Sequence, residues 1–102
     1  MKYDLSFNQG EDFSNIFYTL KDYTGYSARM QARVHPSSDE ILFEIYPTVG
    51  DDGKIITVEI PNSITADIEA SGAVYDIEMV SPEGKVSFPI FGRIAIRKII
   101  TR

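Results

Sequence analysis

Four groups of residues have types and spacings that could do chemistry, and each is weighed first. His35 is the sole histidine of the 102 residues and stands in His35-Pro36-Ser37-Ser38-Asp39, so the ingredients of a nucleophilic triad lie side by side. A working triad is a spatial arrangement in which a base reaches a serine and a carboxylate orients the base, and sequence neighbours on a proline turn favour turn-capping hydrogen bonds instead. Asp51 and Asp52 sit between Gly50 and Gly53, which suggests a calcium loop. An EF-hand loop needs alternating oxygen ligands and a distal bidentate glutamate, and neither follows, so the pair reads as a hairpin tip. Asp76 and Glu78 alternate along one strand face, a spacing compatible with a glycosidase pair but also with any wetted strand. Tyr23, Tyr26, Tyr46 and Tyr75 would make a sugar-binding platform if their rings shared one exposed face, while alternating tyrosines more often form a half-buried core rim. No catalytic residue, no cofactor-binding residue and no metal ligand is assigned.

The elements that must position these residues alternate like β-strands. The stretch from Gly72 to Ile96 holds two alternating apolar runs joined at Ser81-Pro82-Glu83-Gly84. It reads as a long hairpin with Ala73, Tyr75, Ile77 and Met79 on one face and Val74, Asp76 and Glu78 on the other. Pro82 presets a turn φ, and Gly84 can take the left-handed conformation that closes a short bulged loop. Pro89 interrupts the second run, which places that strand at a sheet edge or marks a bulge.

Upstream, Tyr3, Leu5 and Phe7 alternate with polar residues; Phe13 to Leu20 reads as a second strand covered on both sides. Ala28, Met30, Ala32 and Val34 oppose a wet face of Ser27, Arg29, Gln31 and Arg33. Strands are further expected over residues 41–46 and 54–60, and one short helix near residues 63–70, capped by Asn62 or Ser63 and ended at Gly72. About seven short strands and one helix in 102 residues indicate a single all-β domain spanning 1–102, an immunoglobulin-like β-sandwich, with a small barrel as the alternative.

Composition narrows the partners. There are no cysteines, so neither disulfides nor thiolate metal sites can stabilise the chain. A net charge of −5 argues against nucleic acid, whose affinity comes from clustered lysine and arginine. The exception is the tract Arg93, Arg97, Lys98 and Arg102, which suits a solvated strand face or a contact with an acidic partner protein. No apolar run reaches membrane-spanning length and the N-terminal residues lack a signal peptide's apolar region, so a soluble protein without membrane contact is expected.

Three blocks together resemble a known family: Tyr3-Asp4-Leu5 with Gln9-Gly10 and Asp12-Phe13-Ser14; Thr24-Gly25 through Arg33; and Thr65-Ala66, Gly72, Val74 to Glu78, Gly84-Lys85-Val86, Gly92-Arg93-Ile94 and Thr101-Arg102. The chain resembles small virion proteins of tailed bacteriophages and prophages, immunoglobulin-like sandwiches associated with tails and tail fibres. The resemblance departs at Ala32, where a larger aliphatic is expected, and at the aromatic stretch Phe88-Pro89-Ile90-Phe91. It implies a non-enzymatic structural role in a tail, baseplate or fibre attachment, in several copies bound to other virion proteins, after synthesis in the bacterial host's cytoplasm. Capsid decoration and a carbohydrate-binding module for host recognition are the alternatives. The residues expected at the partner contact are Phe88, Phe91, Arg93, Arg97, Ile99, Ile100 and Arg102.

Overall fold

The computed structural model describes residues 1–101, so Arg102 lies outside the described residues. Its strands are β1 (Leu5–Asn8), β2 (Phe13–Tyr18), β3 (Ser27–Arg33), β4 (Phe43–Ile45), β5 (Thr48–Val49), β6 (Ile55–Ile60), β7 (Gly72–Val80) and β8 (Val86–Arg97), with one four-residue helix, α1 (Asn62–Thr65), before β7. Alternation drives them: Ala28, Met30 and Ala32 on β3, Ile56, Val58 and Ile60 on β6, and Ala73, Tyr75, Ile77 and Met79 on β7 are buried, while the residues between them face outward.

These faces close on one another as two sheets. The five-stranded sheet has the order β1-β8-β7-β3-β4 and the three-stranded sheet the order β2-β6-β5. All pairings are antiparallel except β1 with β8, which run parallel from Leu5↔Ile94 to Asn8↔Arg97. This is the immunoglobulin-like sandwich expected from the sequence, with one hydrophobic core between the sheets.

The β7–β8 hairpin forms the central pair. Ser81 N–H donates to the Lys85 carbonyl (2.9 Å), Gly84 N–H donates to the Ser81 carbonyl (2.9 Å), and Gly84 has φ +88°, as the turn chemistry required. Pro89 meets both of its readings: β1 pairs with β8 only over 94–97, which leaves β8 without a second strand at Pro89, and the β7–β8 register slips between Ile77 and Met79 beside it.

Two expectations are corrected. The second strand is not covered on both sides: Phe17 is 3% exposed, but Ile16, Tyr18 and Leu20 are 50%, 73% and 102% exposed, because none of the described residues forms a layer over the outer face of the three-stranded sheet. The helix covers residues 62–65 rather than 63–70 and has no side-chain N-cap; the Asn62 N–H donates instead to Asp12 Oδ1 (2.7 Å), and Gly72 opens β7 rather than ending the helix. No helix among the described residues is long and apolar enough to cross a membrane.

Candidate functional site on the outer face of the five-stranded sheet

The outward residues of β3, β7 and β8 meet in a concavity of about 540 Å³. Register assembles it. β3 against β7 sets Arg29 beside Glu78, Gln31 beside Asp76 and Arg33 beside Val74, and β7 against β8 sets Asp76 beside Phe91 and Val74 beside Arg93. Phe88 and Phe91 are about half exposed, Phe88 beside the slipped register near Pro89, and Lys2 borders the concavity where it bridges to Phe91. An apolar patch of Phe88, Phe91 and Val74 thus adjoins charges of both signs.

One side of this face is held by a chain of polar contacts. Arg29 reaches Glu78 at 3.2 Å and Glu44 at 3.9 Å; Gln31 Nε2 donates to Glu44 Oε1 at 2.5 Å; Arg33 donates to Gln31 Oε1 at 3.2 Å and to the Ser38 carbonyl at 2.7 Å. The Tyr46 hydroxyl donates to Glu44 Oε2 at 2.7 Å. The hydrogen bonds from Gln31 and then Tyr46 hold the Glu44 carboxyl below its usual pKa, and the hydrogen bond to Glu44, then its charge, raises that of Tyr46.

The other side is left open. Among the described residues, neither the Asp76 carboxylate nor the Arg93 guanidinium has a side-chain hydrogen bond or ion pair. Partial desolvation, then the neighbouring Glu78 charge, raises the Asp76 pKa, against the opposing pull of Arg33 and Arg29. A carboxylate in that position gains from a cation or N–H donor that a partner brings.

The floor is fixed by a close backbone approach. A Cβ on Gly92 would lie 2.2 Å from the Tyr3 carbonyl oxygen, so only glycine lets the segment before β1 lie against β8. There the Tyr75 hydroxyl donates to the Tyr3 carbonyl at 2.5 Å, and Asp4 Oδ1 accepts the Arg93 N–H at 3.0 Å. Burial pushes the Tyr75 hydroxyl well above its ordinary pKa, so it remains a donor.

Of the residues expected at a partner contact, the structure gathers Phe88, Phe91 and Arg93 here. The others are elsewhere. Arg97 Nε donates to Asn8 Oδ1 at 2.7 Å, Ile99 packs beside Gly10, Ile100 is 95% exposed, and Arg102 lies outside the described residues. The basic tract is therefore divided, since Lys98 turns to the carbonyls of Ile68 and Glu69. Sequence reading missed Lys2, Arg29, Gln31, Arg33, Val74 and Asp76 as lining residues. The available signal was a wet strand face of alternating Arg-Gln-Arg opposite a second wet face of alternating acids.

The remaining groups take other roles. The tyrosine platform is not formed, because Tyr23 and Tyr75 are buried and Tyr26 packs edge-on to Tyr23 at 5.0 Å. His35 Nδ1 meets Ser37 Oγ at 2.8 Å, and the Ser38 N–H donates to the His35 carbonyl at 3.0 Å, so these residues bind one another within an exposed turn. Asp52 accepts the Lys54 N–H at 3.0 Å in the β5–β6 turn, and no cluster of three metal-ligating side chains occurs among the described residues.

The solved structures add a relationship of shape. A chicken TCR structure superposes with a TM-score of 0.64 over 98% of this chain, at 13% identity. That likeness shows the immunoglobulin-like fold. The chain spans 56% of that receptor chain's length. No family model and no curated protein matches the sequence. The immunoglobulin hallmarks of two intersheet cysteines and a buried tryptophan are absent, as the chain contains neither residue type. Where such a disulfide would cross the core, β7 buries Tyr75 and Ile77, and the fully buried Met30 on β3 is the cross-strand partner of Ile77.

Proposed function

We propose that this chain is a non-enzymatic structural protein of a tailed phage particle, a tail, baseplate or fibre-attachment component that docks on its neighbours through the outer face of the five-stranded sheet. The phage setting rests on the family resemblance in the sequence. The single observation that carries the docking mode is the concavity in which exposed Phe88 and Phe91 adjoin the charges of Asp76 and Arg93, unpaired among the described residues. An apolar patch supplies binding energy and unpaired charges of both signs supply register, which is the division of labour at protein interfaces. The matching segment carries an apolar side chain over Phe91, a basic group toward Asp76 and an acidic group toward Arg93. Repetition over a symmetric particle makes individually weak contacts sufficient. The protein is made in the bacterial host and resides in the virion, with no cofactor in this role.

The test is incorporation. Particles purified from a producing culture should contain the chain in fixed proportion to a tail protein, and Phe91→Lys or Arg93→Glu should lower that proportion about tenfold or more while the free protein's melting midpoint stays within the range of ordinary surface changes. Raised salt during assembly should weaken incorporation further. Absence of the chain from purified particles, or incorporation indifferent to both substitutions, contradicts the proposal.

A further inference from the structure

The groups that the concavity asks of a partner are present on the chain itself. A matching surface offers an apolar side chain to Phe91, a base to Asp76 and an acid to Arg93, and the same outward face carries Phe91, Arg93 and Asp76. All three are exposed, and among the described residues neither the Asp76 carboxylate nor the Arg93 guanidinium has a side-chain partner. Both charges are therefore open to groups from outside the chain.

The β7–β8 register fixes where these residues stand. Asp76 is beside Phe91, and two residues along the strands Val74 is beside Arg93. The four form a quadrilateral with the two charges on one diagonal and the two apolar residues on the other. Its sides are about 4.8 Å across the strands and about 7 Å along them. A face that packs on a copy of itself must turn over, so the twofold axis lies in the plane of contact. An axis along the Phe91–Val74 diagonal exchanges the two sides of that line. Asp76 of each copy then comes over Arg93 of the other, and the two Phe91 rings meet on the axis. Lys2, which pairs with Phe91 on the side away from β7, is carried by the same rotation toward Glu78, the next outward acid after Asp76 on β7. Each of these charge contacts joins opposite signs and is made twice.

We infer that the outer faces of two five-stranded sheets pack on each other about this axis, so that the occupant of the concavity is a second copy of the chain. The inference rests on the docking reading above and names the neighbour across that face. Exposed Phe91 supplies apolar area at the centre, and the crossed charges set the register.

The test exploits the twofold. Purified full-length chain should sediment as a concentration-dependent dimer. Asp76→Arg and Arg93→Glu each set like charges against one another twice in every dimer, so either variant alone should dimerise about a hundredfold more weakly while remaining folded by circular dichroism. An equimolar mixture of the two variants contains only opposite-sign pairs and should dimerise at close to the original affinity, as should the double variant Asp76→Arg/Arg93→Glu on its own. A chain that stays monomeric to millimolar concentration overturns the inference and leaves the face to a different virion protein. A dimer indifferent to the single changes overturns it too, as does a mixture of the variants that remains monomeric. The docking reading fails separately: incorporation that is lost with Phe91→Lys while the free chain is monomeric keeps that reading without the dimer, and a charge-swapped dimer absent from purified particles keeps the dimer without that reading.

Discussion

On the outer face of β3, β7 and β8, Arg29, Gln31, Asp76, Glu78, Phe91 and Arg93 each stand beside an outward neighbour on an adjacent strand, and the face curves into a concavity. On the outer face of the three-stranded sheet, Ser14, Ile16 and Tyr18 oppose Glu59, Thr57 and Ile55, and β2 has no strand on its other side. Both faces are written in the same two-residue alternation. Width separates them: a strand flanked on both sides arranges its outward side chains into a patterned surface, whereas a strand flanked on one side offers its backbone. The wide face suits selection of a partner by charge and shape, and the narrow sheet suits strand addition.

The comparison is broken most severely at Gly92, whose missing side chain admits the segment before β1. Gly92→Ala would place a Cβ 2.7 Å from the Tyr3 carbonyl carbon, closer still to its oxygen, and force that segment off β8. The expected loss is about 3 kcal/mol in denaturant unfolding, as the Tyr75 and Asp4 hydrogen bonds and the local packing go with it. Tyr75→Phe removes only the hydroxyl donated to Tyr3 and should cost about 1 kcal/mol. At Gly84 a Cβ meets nothing within 4 Å, but φ is +88°, so Gly84→Val should also cost about 1 kcal/mol, from backbone strain alone. An unchanged midpoint in either variant removes the corresponding contact from the account.

The smallest effect sharpens the comparison most. The Asp76 pKa is raised in the folded chain above the reference value of 3.8, so the unfolded chain gives up its proton more readily. Ionisation of Asp76 therefore lowers stability as pH rises above that reference toward the folded value, and the penalty persists at neutral pH. Asp76→Asn should accordingly raise stability slightly at pH 7 in denaturant unfolding, the gain shrinking away on acidification below 3.8. The same substitution should weaken partner binding, which separates a carboxylate kept for recognition from one kept for folding.

Much of this was legible before the structure. The inward faces of β3, β6 and β7 and the turn at Gly84 follow from alternation and turn chemistry, which are local. Coverage was not legible for β2, because exposed Ile16, Tyr18 and Leu20 read the same as residues beneath a second layer. Pro89 shows the same limit: a missing N–H marks a disturbed ladder, but whether by an edge or a bulge depends on which strands lie alongside. The concavity was half legible. Phe88, Phe91 and Arg93 lie close together along one strand, whereas Arg29, Gln31 and Arg33 reach them only through the β3–β7 register, set by tertiary packing.

The most direct test of the docking account is a cryo-electron reconstruction of particles from a producing culture, resolved well enough to orient the sandwich within its density. The account predicts that the outer face of β3, β7 and β8, with Phe91 and Asp76, lies against a neighbouring virion protein. A reconstruction in which that face is open to solvent while another surface makes the contact, or in which the chain has no density at all, contradicts it.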